Sequence, residues 1–413
     1  MVVIAGDRGG NMSEENKIKL GEQLIRCVLD DKLSNDKKLR KMDYIIKLGA
    51  DVNAECGLGF SVLSLAKMMQ NDVVISFLED KEAVDIGFNK KKAEKFFRTA
   101  SVDDINKVLK VLPDGYELDC NVGLIDKQLK ELPDFSRVIV NGEFYCPFNE
   151  LTTLKGAPSV VGGDFNCYNN RLTTLRGAPR EVGGVFYCSH NKLISLEGVP
   201  SKVGGDFNCS RNMLTTLKGA PSEVGEDFDC HCNQLTSLEG APSKVGGCFN
   251  CDNNKLTTLE GAPSEVGKSF DCSHNQLESL EGAPSKVSST FDCSYNQLVS
   301  LEGAPREVRR HFDCSYNGLV SLEGAPSVVG GAFDCSNNRL NSLEGAPSEV
   351  GKSFNCSHNQ LESLEGAPRE VGADFNCSDN PLKSYKGKPD KIGGEFYAPD
   401  IEQVTNINGG NSR

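Results

Sequence analysis

The chain has 413 residues and a formal net charge of −13, from 58 acidic and 45 basic residues. Proteins that bind nucleic acid through its phosphates carry basic surfaces, so this charge argues against nucleic acid as a partner. No apolar run approaches the ~18 residues of a membrane-spanning helix, which argues against a membrane partner.

The two ends of the chain carry no pattern of a folded element. We expect residues 1–12 to form a disordered leader and residues 399–413 to form a short C-terminal tail, and Met12 is an alternative start to Met1. No signal peptide precedes the first helical pattern. Seventeen cysteines without such a signal indicate free thiols in a reducing compartment. We therefore expect a cytoplasmic protein, in a bacterium or in an infected host cell.

Apolar residues recur at helical spacing in two parts of the first 120 residues. They predict helices at about 14–33, 38–48, 90–98 and 102–112. Gly49 suits the C-terminal end of the second helix, because glycine readily adopts the left-handed conformation found there.

A more specific pattern lies between these helices. Residues 49–54 read Gly-Ala-Asp-Val-Asn-Ala, and residues 61–66 read Ser-Val-Leu-Ser-Leu-Ala. The pair resembles an ankyrin repeat, in which the first phrase is a turn and a Thr-Pro-Leu-His-x-Ala phrase opens a helix; the Thr, Pro and His are missing here. The resemblance implies an ankyrin-like helical module at 13–120, which either caps the array that follows or binds a partner.

From residue 121 to residue 398 the sequence is periodic, with worn repeats at both ends. Twelve cysteines mark a constant spacing of 21 residues: Cys146, Cys167, Cys188, Cys209, Cys230, Cys251, Cys272, Cys293, Cys314, Cys335, Cys356 and Cys377. Around each one the chain repeats the pattern F-x-C-x-x-N-x-L-x-x-L, followed by a Gly-Ala-Pro turn. Such a period indicates an array whose repeats bury a core by stacking on each other.

This pattern resembles the leucine-rich-repeat core L-x-L-x-x-N-x-L, with Phe and Cys at two leucine positions. Its short Gly- and Pro-rich return resembles the bacterial class found in secreted effectors, and similar arrays occur in phage-encoded proteins. The resemblance implies a curved solenoid with a parallel concave sheet. Together with the helical module, the expected fold class is α + β-solenoid.

The repeated residues have predicted structural roles. Phe and Cys are two apart and point to one side of a short strand, where they fill the core with Leu and Val. Each cysteine is expected to be a buried free thiol, since Cβ atoms about 4.8 Å apart do not suit a disulfide. The asparagine is expected to satisfy backbone groups of its own and the next repeat inside the turn, as one member of a ladder.

The residue between Phe and Cys points the other way and is the candidate site. It is aspartate at Asp229, Asp271, Asp292, Asp313 and Asp334. We predict a partner-binding surface made of these aspartates, with Tyr295, Tyr316 and His311 beside them, because aromatic residues are enriched at binding hot spots. The alternative is that Asp and Asn alternate neutrally through repeat duplication.

No catalytic or metal-binding pattern emerges. The five histidines lie several repeats apart, the Gly-Lys-Ser triplets lack the spacing of a phosphate-binding loop, and Cys230, His231, Cys232 and Cys248 lack zinc-ligand spacing. We predict no enzyme activity and no cofactor. The predicted function is a protein-interaction scaffold with a basic partner; a structural spacer or adhesin, and a bacterial or phage effector or inhibitor of a host protein, are alternatives. The oligomeric state is left open.

Overall fold

The computed structural model describes residues 12–401, so the predicted leader, apart from Met12, and the end of the predicted tail lie outside the described residues. The chain folds as two compact units. The first holds the described residues up to Asn166 together with Gly177–Glu181, and the second holds Cys167–Arg176 and the described residues from Val182. No helix within residues 12–401 is long and apolar enough to cross a membrane.

Six helices open the first unit: α1 (Glu14–Leu29), α2 (Asn35–Lys47), α3 (Val62–Met68), α4 (Asp72–Glu79), α5 (Lys90–Thr99) and α6 (Val102–Leu109). A serine or asparagine precedes each helix, and in all but α2 its side chain accepts a hydrogen bond from a backbone N–H of the first turn. These caps satisfy donors that have no partner within the helix, which explains where each helix begins.

The helices pack through their apolar stripes. α1 buries Leu20, Leu24 and Val28 against α2, which contributes Met42. Lys38 of α2 is 3% exposed, and its Nζ donates to the carbonyl of Val28 at 2.9 Å. A cation at the last carbonyls of a helix satisfies orphan acceptors and the helix dipole, so this buried lysine joins the two helices.

The helical module covers the first apolar layer of strands within its own unit. Phe97 of α5 is fully buried and lies 5.5 Å from Phe135, ring centre to ring centre, and Phe135 lies 5.1 Å from Phe144. An uncovered end of a repeat array exposes its core to water. These contacts give the helical module a capping role, while an additional binding role stays a prediction.

Two short strands recur in each repeat. The first strands of the pairs are β1 (Tyr116–Leu118), β3 (Val138–Val140), β5 (Val160–Val161), β7 (Glu181–Val182), β9 (Lys202–Val203), β11 (Glu223–Val224), β13 (Lys244–Val245), β15 (Glu265–Val266), β17 (Lys286–Val287), β19 (Glu307–Val308), β21 (Val328–Val329), β23 (Glu349–Val350), β25 (Glu370–Val371) and β27 (Lys391–Ile392).

The second strands contain the Phe of each repeat. They are β2 (Val122–Gly123), β4 (Phe144–Tyr145), β6 (Phe165–Asn166), β8 (Phe186–Tyr187), β10 (Phe207–Asn208), β12 (Phe228–Asp229), β14 (Phe249–Asn250), β16 (Phe270–Asp271), β18 (Phe291–Asp292), β20 (Phe312–Asp313), β22 (Phe333–Asp334), β24 (Phe354–Asn355), β26 (Phe375–Asn376) and β28 (Phe396–Tyr397).

Within each unit the strands pair in parallel with the same strand of the neighbouring repeat. In the second unit Phe pairs with Phe from β8 to β28, so that the Phe rings stack 5.1–5.8 Å apart. The first strands form their own ladder, with an exposed Glu or Lys followed by a buried Val. This second ladder was not predicted from the sequence, although the parallel solenoid and the helices before it are confirmed.

The predicted asparagine ladder is confirmed, with one difference. The Nδ2 of Asn275 donates to the carbonyls of Cys272 and Ser273 in its own repeat and of Cys251 in the previous repeat, at 3.0–3.1 Å. Its Oδ1 accepts from the backbone N–H of Leu256 at 3.0 Å. The amide therefore joins its repeat to the previous one, where the sequence predicted the next one.

The cysteines also join successive repeats. The thiol of Cys272 donates to the carbonyl of Asp292 in the next repeat at 3.3 Å, and the backbone N–H of Cys272 bonds to the same oxygen at 2.9 Å. All seventeen cysteines are free. The side chain therefore contributes a weak hydrogen bond as well as apolar volume.

The Gly of each Gly-Ala-Pro turn is required by its backbone. Gly303 has φ +90°, and a Cβ atom there would lie 2.6 Å from the carbonyl group of Leu280. Only glycine fits both the left-handed conformation and the close approach to the previous repeat. The return segment is therefore a compact turn, as its composition predicted.

The four helices predicted between residues 14 and 112 are confirmed as α1, α2, α5 and α6, with ends a few residues different. The ankyrin-like character of the module stays a prediction, as does its boundary at residue 120. The first strand of the array, β1, already begins at Tyr116.

Replacing Asn275 by Ala is expected to destabilise the second unit by about 1–3 kcal/mol, because the buried N–H of Leu256 loses its partner and three carbonyls each lose one of two hydrogen bonds. The measurement is urea unfolding of the full chain. Gln276→Ala, at the exposed neighbouring position, is the matched control and should change stability by less than about 0.5 kcal/mol. Equal effects of the two changes would contradict the ladder's role.

Thiol titration checks the state of the cysteines. In the folded protein only Cys232 and Cys248 should react with an aqueous thiol reagent, since the other fifteen are buried. In denaturant without reductant all seventeen should react. A lower count in denaturant would show that disulfides form in this chain.

Candidate functional site

Four aspartates lie in one continuous row on neighbouring strands of the second unit. Asp271, Asp292, Asp313 and Asp334 are direct register partners, each with the next. Asp229 is separated from them by Asn250. We call Asp271, Asp292, Asp313 and Asp334 the acidic row.

Each carboxylate of the acidic row also has a structural role. Its Oδ1 accepts a hydrogen bond from the backbone N–H two residues later, at 2.9 Å, from Ser273, Ser294, Ser315 and Ser336. Asparagine makes the same bond in other repeats, at Asn208, Asn250, Asn355 and Asn376. The turn therefore needs a side-chain oxygen here, and asparagine supplies one without a charge.

The charges of Asp271, Asp292 and Asp313 in the acidic row are unfavourable for the fold. Burial raises the pKa of Asp271 and of Asp292, and hydrogen bonds from Ser273 and Ser294 oppose the rise. Burial raises the pKa of Asp313 to about 6, and the neighbouring charges of Asp292 and Asp334 add to the effect. The ionised form is thus destabilised by lost hydration and by repulsion between like charges.

No lysine or arginine among residues 12–401 forms an ion pair with the acidic row. Asn355 donates its amide to Asp334 at 2.9 Å, which is a neutral contact. Asp229 differs, because the Nδ1 of His231 lies 2.6 Å from its Oδ1 and Asn208 donates to its Oδ2. The structure therefore joins four of the five predicted aspartates and gives the fifth its own partners.

Tyr295 and Tyr316 lie beside the acidic row as members of an aromatic stack. The ring of His274 lies 4.2 Å from that of Tyr295, and Tyr295 lies 4.2 Å from Tyr316, with ring planes within 11° of parallel. The two tyrosines are 42% and 46% exposed. We call His274, Tyr295 and Tyr316 the aromatic stack.

The backbone of the aromatic stack is in the left-handed region. His274, Tyr295 and Tyr316 have φ of +52° to +53°, and the repeats on either side have Asn253 and Asn337 at this position. Asparagine tolerates this conformation and tyrosine does so less readily. The fold thus requires the left-handed turn, and it does not require a bulky ring there.

The aromatic stack forms one side of an open groove of about 610 Å³. The groove is lined by the three rings, by Asn253 and Asn337 at its ends, and by the ladder residues Asn275, Asn296 and Asn317. The pKa of Tyr295 is raised by its partly desolvated position, by its hydrogen bond with Tyr316 and by the charge of Asp313. The groove therefore lies within electrostatic range of the acidic row.

His311 contacts the next repeat, and its predicted role in partner binding stays a prediction. Its Nδ1 accepts a hydrogen bond from the backbone N–H of Ala332 at 3.1 Å, and its carbonyl accepts from Phe291 at 2.9 Å. Asp227, Ser269 and Asp374 occupy the same position in other repeats, and each side chain likewise accepts a hydrogen bond from a backbone N–H of the next repeat. The imidazole thus links successive repeats.

Sequence reasoning missed His274 as a member of the stack. The signal was available, because His274, Tyr295 and Tyr316 directly precede the ladder asparagine in three consecutive repeats. Within residues 12–401, no group of three or more His, Cys, Asp or Glu is placed to hold a metal ion.

A second concavity, of about 630 Å³, lies in the helical module. Its apolar residues include Ile18, Ile25, Phe96 and Val108, and Ile18 is 62% exposed. Charges of both signs surround it, and three of its lysines already form ion pairs, Lys17 with Glu14, Lys92 with Glu55 and Lys107 with Asp104. This concavity has no net charge that would select a partner.

The stability of the acidic row should depend on pH. Below pH 4 an Asp with a raised pKa is protonated in both the folded and the unfolded state, and it then lowers the free energy of unfolding least. The loss of stability grows as the pH rises through about 6, where the folded state must ionise the group. Asp313→Asn should therefore stabilise the chain by about 1–3 kcal/mol at pH 8 and have little effect near pH 4.

The measurement is urea unfolding at both pH values. Asp229→Asn is the control and should not stabilise at pH 8, because Asp229 has His231 as its partner. An Asp313→Asn gain that is the same at pH 4 and pH 8 would contradict the electrostatic explanation.

No protein-family model matches the sequence, and no curated protein is similar to it. Among solved structures, YopM from Yersinia enterocolitica is 21% identical, with 71% of this chain and 73% of that chain covered and a TM-score of 0.48.

Two further structures are similar to a comparable extent. The leucine-rich effector protein YopM from Yersinia pestis is 19% identical, with 68% and 88% of the two chains covered and a TM-score of 0.42. The APL1 leucine-rich repeat domain is 17% identical, with 66% and 77% covered and a TM-score of 0.48. At these values the similarity concerns the fold alone.

Proposed function

We propose that the protein is a non-enzymatic interaction scaffold that binds a basic segment of a protein partner. The binding surface consists of the acidic row and the aromatic stack. The observation that carries the proposal is that four neighbouring carboxylates without an ion-pair partner among the described residues lie next to exposed, stacked rings.

The first support is that the fold gains nothing from the charge. Asparagine makes the same turn-capping bond in four other repeats, so the charges of Asp271, Asp292 and Asp313 add a desolvation cost without a structural return. Neutral drift between Asp and Asn would not keep such a cost in three adjacent repeats. A cationic partner would offset it, since opposite charges at close range stabilise the ionised carboxylates.

The second support comes from the aromatic stack. Tyr295 and Tyr316 hold a backbone conformation that costs a bulky residue of order 1 kcal/mol, and both rings remain partly exposed. Strained backbone conformations cluster at functional sites. A spacer or adhesin role would require neither the unpaired charges nor the strained rings.

The test replaces all four aspartates of the acidic row by Asn. The change keeps the Oδ1 acceptor that caps each turn and removes the four charges, so the fold should be retained or stabilised. Both proteins are tagged and used to capture partners from a cell lysate at low salt. The variant should capture at least about tenfold less partner than the unmodified chain, because opposite charges steer and stabilise the complex.

The matched control removes four charges from another surface. Glu260, Glu281, Glu302 and Glu323 are exposed residues of the Gly-Ala-Pro turns in the same repeats. Their quadruple replacement by Gln should leave capture unchanged. If both quadruple variants capture the same proteins as the unmodified chain, the acidic row is not the binding surface.

A further inference from the structure

Tyr316 is the open end of the aromatic stack. The ring of Tyr295 lies between two neighbours, His274 and Tyr316, so both of its faces are covered. Tyr316 contacts Tyr295, and in the described part of the chain no further ring lies on its other side. That outer face points towards the next repeat.

The next repeat leaves a slot beside this face. Its equivalent residue is Asn337, whose side chain is far smaller than a tyrosine ring and donates to the hydroxyl of Ser336 at 3.2 Å. Asn337 and Tyr316 both line the 610 Å³ groove. Because ring centres in the stack are 4.2 Å apart, the slot above Asn337 accepts one more planar group.

The repeat symmetry places two carboxylates near this end of the stack. Burial raises the pKa of Asp271 and Asp292, and the imidazole of His274 opposes the rise in both. A ring at this position therefore interacts electrostatically with the aspartate of its own repeat and with that of the next. The charge of Asp313, in the next repeat, contributes to the raised pKa of Tyr295. By the repeat symmetry, Asp313 and Asp334 flank Tyr316.

The slot has no internal cation. Within residues 12–401 the lysines that lie over a ring are Lys81 at Phe77 and Lys388 at Phe396, and neither is near Tyr316. Asp334 accepts one bond from the N–H of Ser336 and one from Asn355, which leaves further lone pairs on both oxygens.

We propose that the slot formed by Tyr316, Asp334 and Asn337 binds the guanidinium of an arginine in the partner. The planar guanidinium stacks on the outer face of Tyr316 and donates to the carboxylate of Asp334. A lysine ammonium has the charge but neither the planar face nor the fork of donors. The proposal rests on the proposed function, because it names the residue type that the same surface selects.

The other end of the stack is a poorer site for a cation. Its outer ring is the imidazole of His274, which carries a positive charge when protonated and then repels a guanidinium. A tyrosine face attracts cations through its ring electrons. The chemistry of the two ends therefore favours the end at Tyr316.

The experiment compares two synthetic peptides of equal length and charge, in which every cationic residue is arginine in one and lysine in the other. Fluorescence anisotropy measures their binding to the full chain at low salt. The unmodified protein should bind the arginine peptide about fivefold more tightly or better, as expected for a stacked guanidinium.

The test variant is Tyr295→Asn/Tyr316→Asn. Both rings are replaced because removal of Tyr316 alone would expose the face of Tyr295 as a new slot. Asparagine occupies this position in neighbouring repeats with positive φ, so the fold is retained. The arginine peptide should then bind no better than the lysine peptide, while the lysine affinity stays unchanged. The control, His190→Asn/His358→Asn, changes two equivalent positions outside the stack and should keep the arginine preference.

Each contrary outcome separates the slot from the proposed function. Equal affinities for the two peptides, both reduced by the quadruple Asp→Asn change, would overturn the slot and leave the acidic row as the binding surface. An arginine preference that persists in the double tyrosine variant would also overturn it. Absence of binding by either peptide would overturn the slot regardless of the lysate capture.

Discussion

The hydrogen bonds of the ladder asparagines are the constraint on which the rest of the second unit depends. Parallel strands of two residues satisfy only part of the backbone of each 21-residue repeat, and the other buried N–H and carbonyl groups need further partners. The ladder asparagine supplies some of them, since Asn275 bonds to three carbonyls and one N–H across two repeats. Its contacts set the register of each repeat on the previous one.

A fixed register turns a repeated residue into a surface feature. The pairing that stacks Phe270 on Phe291 also places Asp271 beside Asp292 and aligns the residues that precede each asparagine. Any side chain that recurs in neighbouring repeats therefore forms a row with a spacing of about 5 Å. The acidic row and the aromatic stack are two such rows, and they occur in overlapping repeats.

The two rows share a physical property. Each is less favourable for folding than the asparagine found at the same position elsewhere, through desolvated charge in one row and left-handed backbone in the other. Local costs that the fold does not require are expected at functional sites. The helical module shows no comparable feature, since three of the four lysines at its concavity are already paired and Phe97 covers the core.

Sequence alone determined the period, the parallel solenoid and the buried roles of Phe, Cys and Asn, because each follows from spacing that a repeat preserves. It also determined the helices α1, α2, α5 and α6, through their apolar periodicity. It also named Asp271 to Asp334, Tyr295 and Tyr316. Only the tertiary structure showed that Ser273 and its equivalents bond to these aspartates, that His231 pairs with Asp229 and that His311 links repeats. Those contacts depend on side-chain direction and on the neighbouring repeat, which linear spacing does not specify. The second strand ladder and the stacking of His274 on Tyr295 were decided in the same way, by how one repeat lies on the next.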